Sequence, residues 1–144
     1  MAQAGLHAYL SLKSKKWMPN KKYFIFFLLG SIIPDIDIIF CALASYYIPI
    51  EQAVVFFHRT LTHSLITIAA IYLAFLIAYE YKKKESILNA AHGFIAGFLF
   101  HILIDIFFWF DSIDLFWPLP IPEINIWFKI AIDNNIFNTI LALE

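Results

Sequence analysis

Residues 86–110 read SILNAAHGFIAGFLFHILIDIFFWF and decide the fold class of this chain. This apolar stretch of 25 residues is long enough to cross a bilayer as a helix, because about 20 such residues span the hydrocarbon core. It nevertheless contains three ionisable side chains, His92, His101 and Asp105. Ionisable groups are costly inside a membrane and commonly mark a functional site there. The stretch therefore predicts a membrane-spanning helix that carries part of a site.

The composition of the whole chain also indicates a membrane protein. Of its 144 residues, 62% are hydrophobic and 15% are charged, whereas soluble domains have roughly 25% charged residues. Residues 64–81 form a second candidate span. Residues 23–33 form a shorter apolar run that stops at Pro34, at about half the length needed to cross a bilayer. We therefore predict an all-α integral membrane bundle of about four to six helices, some short or broken, in a single domain over residues 1–144.

The rest of the chain gives weaker signals. Residues 2–14 suit a short helix, and residues 124–142 suit a final amphipathic or membrane-dipping helix. The path of residues 36–57 stays open, with a re-entrant or broken helix as one option. The net charge of −1 provides no basic field, so we expect no nucleic-acid partner. A single cysteine, Cys41, excludes an intrachain disulfide and a multi-cysteine zinc site. A metal site here must therefore use nitrogen and oxygen ligands.

Two lysine clusters, in residues 13–22 and 82–84, predict the orientation in the membrane. The positive-inside rule places them on the cytoplasmic side. At 1.5 Å per helical residue, one group of polar side chains falls about 20–32 Å from these lysines: Asp35, His63, His101 and Asp105. The sequence therefore predicts a polar layer toward the end of the bundle opposite the lysines.

His101 and Asp105 are four residues apart and so share one helix face. Gly93 and Gly97 continue the same row, which allows a neighbouring helix to approach closely. The pair is either a set of metal ligands or a histidine–carboxylate contact that holds two helices together. His92 lies nine positions before His101, about 180° around the helix, so we expect it outside any such site.

Residues 34–37 read PDID and place two carboxylates, Asp35 and Asp37, at a helix break. Carboxylates two residues apart across such a turn can point toward one cation. The alternative is simple helix capping, for which aspartate is well suited.

Residues 58–64 read HRTLTHS and form the densest polar cluster of the chain. His58 and His63 are five residues apart, too far for one helix face, so the pattern predicts a loop that leads into a helix N-terminus. Arg59 offers a planar set of donors suited to a phosphate or carboxylate oxygen. The alternative is an interfacial loop with ordinary caps.

The order of these motifs, followed by Trp117-Pro118, resembles the YdjM-like family of LexA-regulated, membrane-bound, metal-dependent hydrolases. The similarity runs from residue 7 to about residue 120. It implies an integral membrane protein of about four helices with a metal-dependent hydrolase site. Carried over position by position, it implies these candidate ligands: His7, Asp35, Asp37, His58, His63, His101 and Asp105.

We therefore expect a metal-dependent hydrolase of the inner membrane with one or two divalent ions. Imidazole and carboxylate ligands favour Zn²⁺, with Mn²⁺ or Fe²⁺ as alternatives. We expect the core ligands to be Asp35, His63, His101 and Asp105. Asp37 or His58 would be a further ligand or a proton-transfer group, and Arg59 would hold an anionic substrate oxygen. A phosphoester fits best, including a phospholipid head group, while an amide or carboxylic ester stays open. Membrane lipids are the expected partners.

Two other classes of function stay open. A divalent-ion transporter or sensor would line a path with the same histidines and carboxylates, and a helical interaction module would use them only as caps and contacts. A path needs polar residues at several depths, whereas a hydrolase needs one layer. Residues 64–81 carry no ionisable group before Glu80, which favours the layer.

Overall fold

A computed structural model describes residues 3–58, 60–108, 113–122 and 124. The described chain is helical throughout its length, apart from short turns and one isolated bridge between Ile113 and Ile124. The helices are α1 (Gln3–Lys13), α2 (Lys21–Ile32), α3 (Ile38–Ala44), α4 (Ile50–Phe57), α5 (Leu65–Lys82) and α6 (Glu85–Phe108). The all-α prediction is confirmed. Of the helix predicted over 124–142, residues 125–142 lie outside the described residues.

Three helical segments are long and apolar enough to cross a membrane: Lys21–Ala44, Leu65–Lys82 and Glu85–Phe108. Two of them match the spans predicted from the sequence. The first corrects the expectation that the run from residue 23 stops at Pro34. A short 3-10 turn, Ile33–Asp37, joins α2 to α3 instead. Proline is tolerated there because it stands at the start of the turn, where its missing N–H would have no partner.

The α3–α4 hairpin explains how residues 36–57 return toward the polar cluster. The chain turns after Ala44, where the N–H of Tyr47 donates to the Ala44 carbonyl over 2.9 Å. Helix α4 then packs on α3 and ends at Phe57. Because the two helices have similar lengths, the end of α4 comes back beside the start of α3. The broken-helix option is therefore the one the fold adopts.

Glycines bring the backbones of α2 and α6 into direct contact. A Cβ added to Gly97 would collide with the carbonyl oxygen of Phe27, and one added to Gly30 would collide with that of Phe94. Gly93 faces α2 in the same way. The row of small residues predicted on α6 is therefore a helix-packing surface, and it lies one turn before His101.

The apolar core lies between α5, α6 and the segment that follows α6. Its buried members are Ile68, Phe94, Phe98, Ile102, Ile113 and Leu115. The N–H of Leu65 donates to the Leu115 carbonyl over 2.8 Å, which fixes this segment at the start of α5. Ser64 caps α5 by accepting from the N–H of Ile66, and its hydroxyl donates to the Trp117 carbonyl over 2.6 Å. The position of His63, next to Ser64, is thereby set.

Candidate metal centre

Four side chains from separate parts of the sequence converge at the end of α2, the start of α5 and the last turns of α6. The Nε2 atoms of His63 and His101 lie 3.1 Å apart. Asp105 Oδ2 lies 3.2 Å from the first and 3.4 Å from the second of these nitrogens. Asp35 Oδ1 lies 3.5 Å from His101 Nε2. These are the four residues expected from the sequence as core ligands.

The separations among the His63, His101 and Asp105 atoms fit three corners of a tetrahedral metal site. Zinc bound at about 2.0–2.1 Å by nitrogen and oxygen ligands requires neighbouring ligand atoms to lie roughly 3.3 Å apart. The four separations of 3.1–3.5 Å bracket that value. His63, His101 and Asp105 can therefore offer three ligand atoms to one ion, and Asp35 lies beside them at His101.

The hydrogen bonds on the far side of each ring decide which nitrogen carries the proton. His101 Nδ1–H donates to the Ser31 carbonyl over 2.8 Å. Thr62 Oγ1 donates to Asp37 Oδ2 over 2.6 Å, so His63 Nδ1–H donates to Thr62 Oγ1 over 3.0 Å. Both neutral rings then present an Nε2 lone pair to the cluster. This is the arrangement in which outer hydrogen bonds orient metal-binding histidines.

His7 approaches the cluster from α1 and holds the other oxygen of Asp105. Its Nε2–H donates to Asp105 Oδ1 over 3.0 Å, and its ring stacks on His101 with 3.8 Å between the centroids. One turn along α1, Ser11 Oγ donates to Ser31 Oγ over 2.7 Å. His7, His101 and Asp105 form one possible ligand group, and Asp35, His63 and His101 form another that shares His101.

Asp37 and His58 lie outside both groups. His58 Nδ1–H donates to Asp37 Oδ1 over 3.0 Å, and Asp37 Oδ2 accepts from Thr62 and lies 3.6 Å from His63 Nδ1. The structure thus places these two predicted ligands behind His63 rather than beside the other ligand atoms. Arg59 lies outside the described residues.

The cluster is almost completely buried. His7, His63, His101 and Asp105 are at most 3% exposed as side chains. Burial lowers the pKa of His63, which keeps its ring neutral and its Nε2 lone pair available. Asp105 Oδ2 and Asp35 Oδ2 accept no hydrogen bond within the described part of the chain. Such buried acceptors require a proton or a cation.

His92 lies elsewhere, exposed on the α6 surface and paired with the Tyr72 hydroxyl at 3.2 Å. The prediction from helical spacing that His92 lies outside the site is confirmed. Three residues that contribute hydrogen bonds here were not predicted from the sequence: Ser11, Ser31 and Thr62. A signal existed for Ser11, which follows His7 by four residues and so shares its helix face. The Ser31 contribution is a backbone carbonyl, which no side-chain pattern reveals.

We expect Asp37→Asn to weaken metal binding about 10- to 100-fold without unfolding the protein, as is typical when an outer partner of a metal ligand is lost. The amide has the shape of the carboxylate but loses the charge behind His63. Competition with a zinc-binding dye in detergent measures the affinity. Thr62→Ser, which keeps the hydroxyl, is the matched control and should bind metal as the wild type does. Unchanged affinity in Asp37→Asn would show that Asp37 does not orient His63.

The fold and the cluster define an all-α membrane protein with a buried histidine–aspartate centre. The chain matches the model of the YdjM inner membrane protein family over residues 2–143, and it belongs to that family. Neither a curated protein nor a solved structure matches the chain. The family match agrees with the resemblance drawn from the sequence motifs.

Proposed function

We propose that this protein is a metal-dependent hydrolase of the inner membrane that cleaves phosphoesters. One observation carries the proposal: the Nε2 atoms of His63 and His101 and the Oδ2 atom of Asp105 face one another within 3.4 Å. All three present lone pairs when the rings carry their protons on Nδ1. A single proton relieves one such contact, whereas a divalent cation satisfies all three atoms together.

The distribution of buried ionisable side chains supports an enzyme over an ion path. Among the described residues, every buried histidine and aspartate belongs to this cluster or contacts it: His7, Asp37, His63, His101 and Asp105. Helix α5 has no buried ionisable residue at any depth. A transport path requires such groups along its length, and a reaction centre requires them in one place.

The residues divide into two roles in this proposal. His63, His101 and Asp105 would hold the ion, with Asp35 as the fourth ligand through Oδ1. A divalent ion bound here would lower the pKa of a water molecule and polarise the scissile bond. Among the described residues Asp35 Oδ2 has no hydrogen-bond partner, so it would take the proton of the attacking water. The water oxygen would form a new bond to phosphorus as the bond to the leaving oxygen breaks, and the proton would pass from Asp35 to that leaving oxygen.

The remaining assignments extend the sequence interpretation. Arg59 would bind a non-bridging phosphate oxygen, since it follows His58 directly in the chain. Zn²⁺ is the favoured ion, because imidazole and carboxylate ligands suit it. The lysine-rich turns would face the cytoplasm and the metal centre the opposite side.

Hydrolysis of bis(p-nitrophenyl) phosphate by the detergent-purified protein tests the proposal. We expect turnover that requires added Zn²⁺ or Mn²⁺ and falls about 10²- to 10⁴-fold in Asp35→Asn, the range typical of a lost proton-transfer group. His92→Ala should keep full activity because that ring lies outside the cluster. A protein that binds metal stoichiometrically yet hydrolyses no phosphodiester would contradict the hydrolase proposal and favour ion transport or sensing.

A further inference from the structure

The cluster is accessible from one direction within the described part of the chain. Side-chain exposure is 14% for Asp35 and 16% for His58, whereas it does not exceed 3% for the other clustered histidines and aspartates. Both partly exposed residues lie at the base of the α3–α4 hairpin, where the turn after α2 meets the end of α4. A substrate must therefore arrive beside this hairpin.

Among the described residues, several side chains next to this opening are apolar and exposed. Ile36 stands next to Asp35, Phe57 precedes His58, and Leu61 follows in the next turn. The two hairpin helices add further exposed apolar side chains: Ile38, Ile39, Phe40, Leu43, Ile50, Val54 and Phe56. Glu51 is the one charged residue of the two helices. A water-soluble phosphoester gains nothing from such a surface, whereas hydrocarbon chains bury it.

The opening also lies inside the membrane-spanning length of the chain. Asp35 is about 21 Å from Lys21 along the helix and about 14 Å from Ala44, at 1.5 Å per residue. Helix α3 belongs to the first candidate span, so its exposed face continues the lipid-facing surface of that span. Tyr46 and Tyr47, in the turn beyond α3, suit the level of the head groups. The opening is therefore deeper than the hairpin turn.

We propose that the opening faces the bilayer and that the substrate is a membrane lipid with a phosphoester head group. The head group reaches the metal centre beside Asp35 and His58, and the acyl chains stay against the α3–α4 hairpin. This inference rests on the proposed hydrolase function for its chemistry, but the direction of the opening is independent of that function and is testable alone.

Fluorescence quenching in vesicles tests the direction of the opening. A fluorophore on Phe57→Cys, in a Cys41→Ala background, is expected to be quenched by acyl-chain nitroxide lipids and protected from aqueous iodide. Leu73→Cys, exposed in the middle of α5, is the lipid-facing control, and Tyr81→Cys at the lysine end is the water-facing control. If the Phe57 site behaves as the Tyr81 site does, the opening faces water and the inference is wrong.

A comparison of two substrates tests the lipid chemistry. Phosphatidylglycerol in mixed micelles and bis(p-nitrophenyl) phosphate are offered to the wild type, to Phe57→Ser and to Leu73→Ser. We expect Phe57→Ser to lower the ratio of lipid to diester kcat/KM at least tenfold and Leu73→Ser to leave it unchanged. An unchanged ratio in Phe57→Ser overturns the inference. Cleavage of the diester without the lipid also overturns it while the hydrolase function stands; cleavage of neither contradicts the hydrolase function itself.

Discussion

Asp105→Ala is expected to empty the metal centre, reducing bound zinc from about one ion per chain to less than a tenth. The carboxylate acts at two places, because Oδ2 lies within 3.4 Å of both Nε2 atoms and Oδ1 accepts the hydrogen bond from His7. Alanine would therefore remove one proposed ligand and release the His7 ring, which stacks on another proposed ligand, His101. The loss of affinity should exceed the roughly 100-fold limit typical of a missing outer partner.

Elemental analysis of detergent-purified protein, combined with chelator competition, measures this effect. His92→Ala is the control, since it removes an imidazole from the same helix at an exposed position away from the cluster. His101→Ala should reproduce the loss seen in Asp105→Ala, and both variants should keep their helical content because α6 is a long apolar helix. Equal zinc content in Asp105→Ala and the wild type would refute the metal centre.

Local patterns were sufficient for much of this fold. Apolar runs of bilayer length identified Leu65–Lys82 and Glu85–Phe108 as spans, and helical spacing put His101 and Asp105 on one face opposite His92. The glycine row identified the face of α6 that meets another helix, although not which helix. Each of these features depends on residues within one continuous helix.

Features that depend on distant pairings were beyond the sequence pattern. His7 and Asp105 are 98 positions apart in the chain. Their contact depends on how α1 packs against α2, which no local pattern predicts. The continuation of the first span through Pro34 also depends on tertiary contacts. Two aspartates in an apolar run indicate a break, yet here Asp35 and Asp37 face histidines from other segments, which offset their cost. Which of these carboxylates lies beside His101 and which lies behind His63 likewise depends on tertiary contacts.

Gly97→Ala is expected to destabilise the protein by about 1–3 kcal/mol, the usual cost of forcing extra volume into a packed contact. The added Cβ would meet the backbone of Phe27, which has no rotamer that moves it away, so α2 itself must shift. That shift separates Ser31 and Asp35 on the α2 side from His101 on α6, one turn further along, and zinc affinity should fall with stability. An overpacked helix contact far from the cluster would lower the stability of the protein but leave its zinc affinity unchanged.

Gly5→Ala provides the matched comparison for this variant. Gly5 also lies in a helix, but a Cβ there meets nothing within 4 Å, so alanine should stabilise α1 by up to about 1 kcal/mol through its higher helix propensity. Denaturant titration in detergent and zinc competition on both variants separate backbone propensity from helix contact. If Gly97→Ala matches Gly5→Ala in stability and in zinc affinity, α2 and α6 do not touch at Gly97. The positions of Ser31 and Asp35 beside His101 would then not depend on a close contact between α2 and α6.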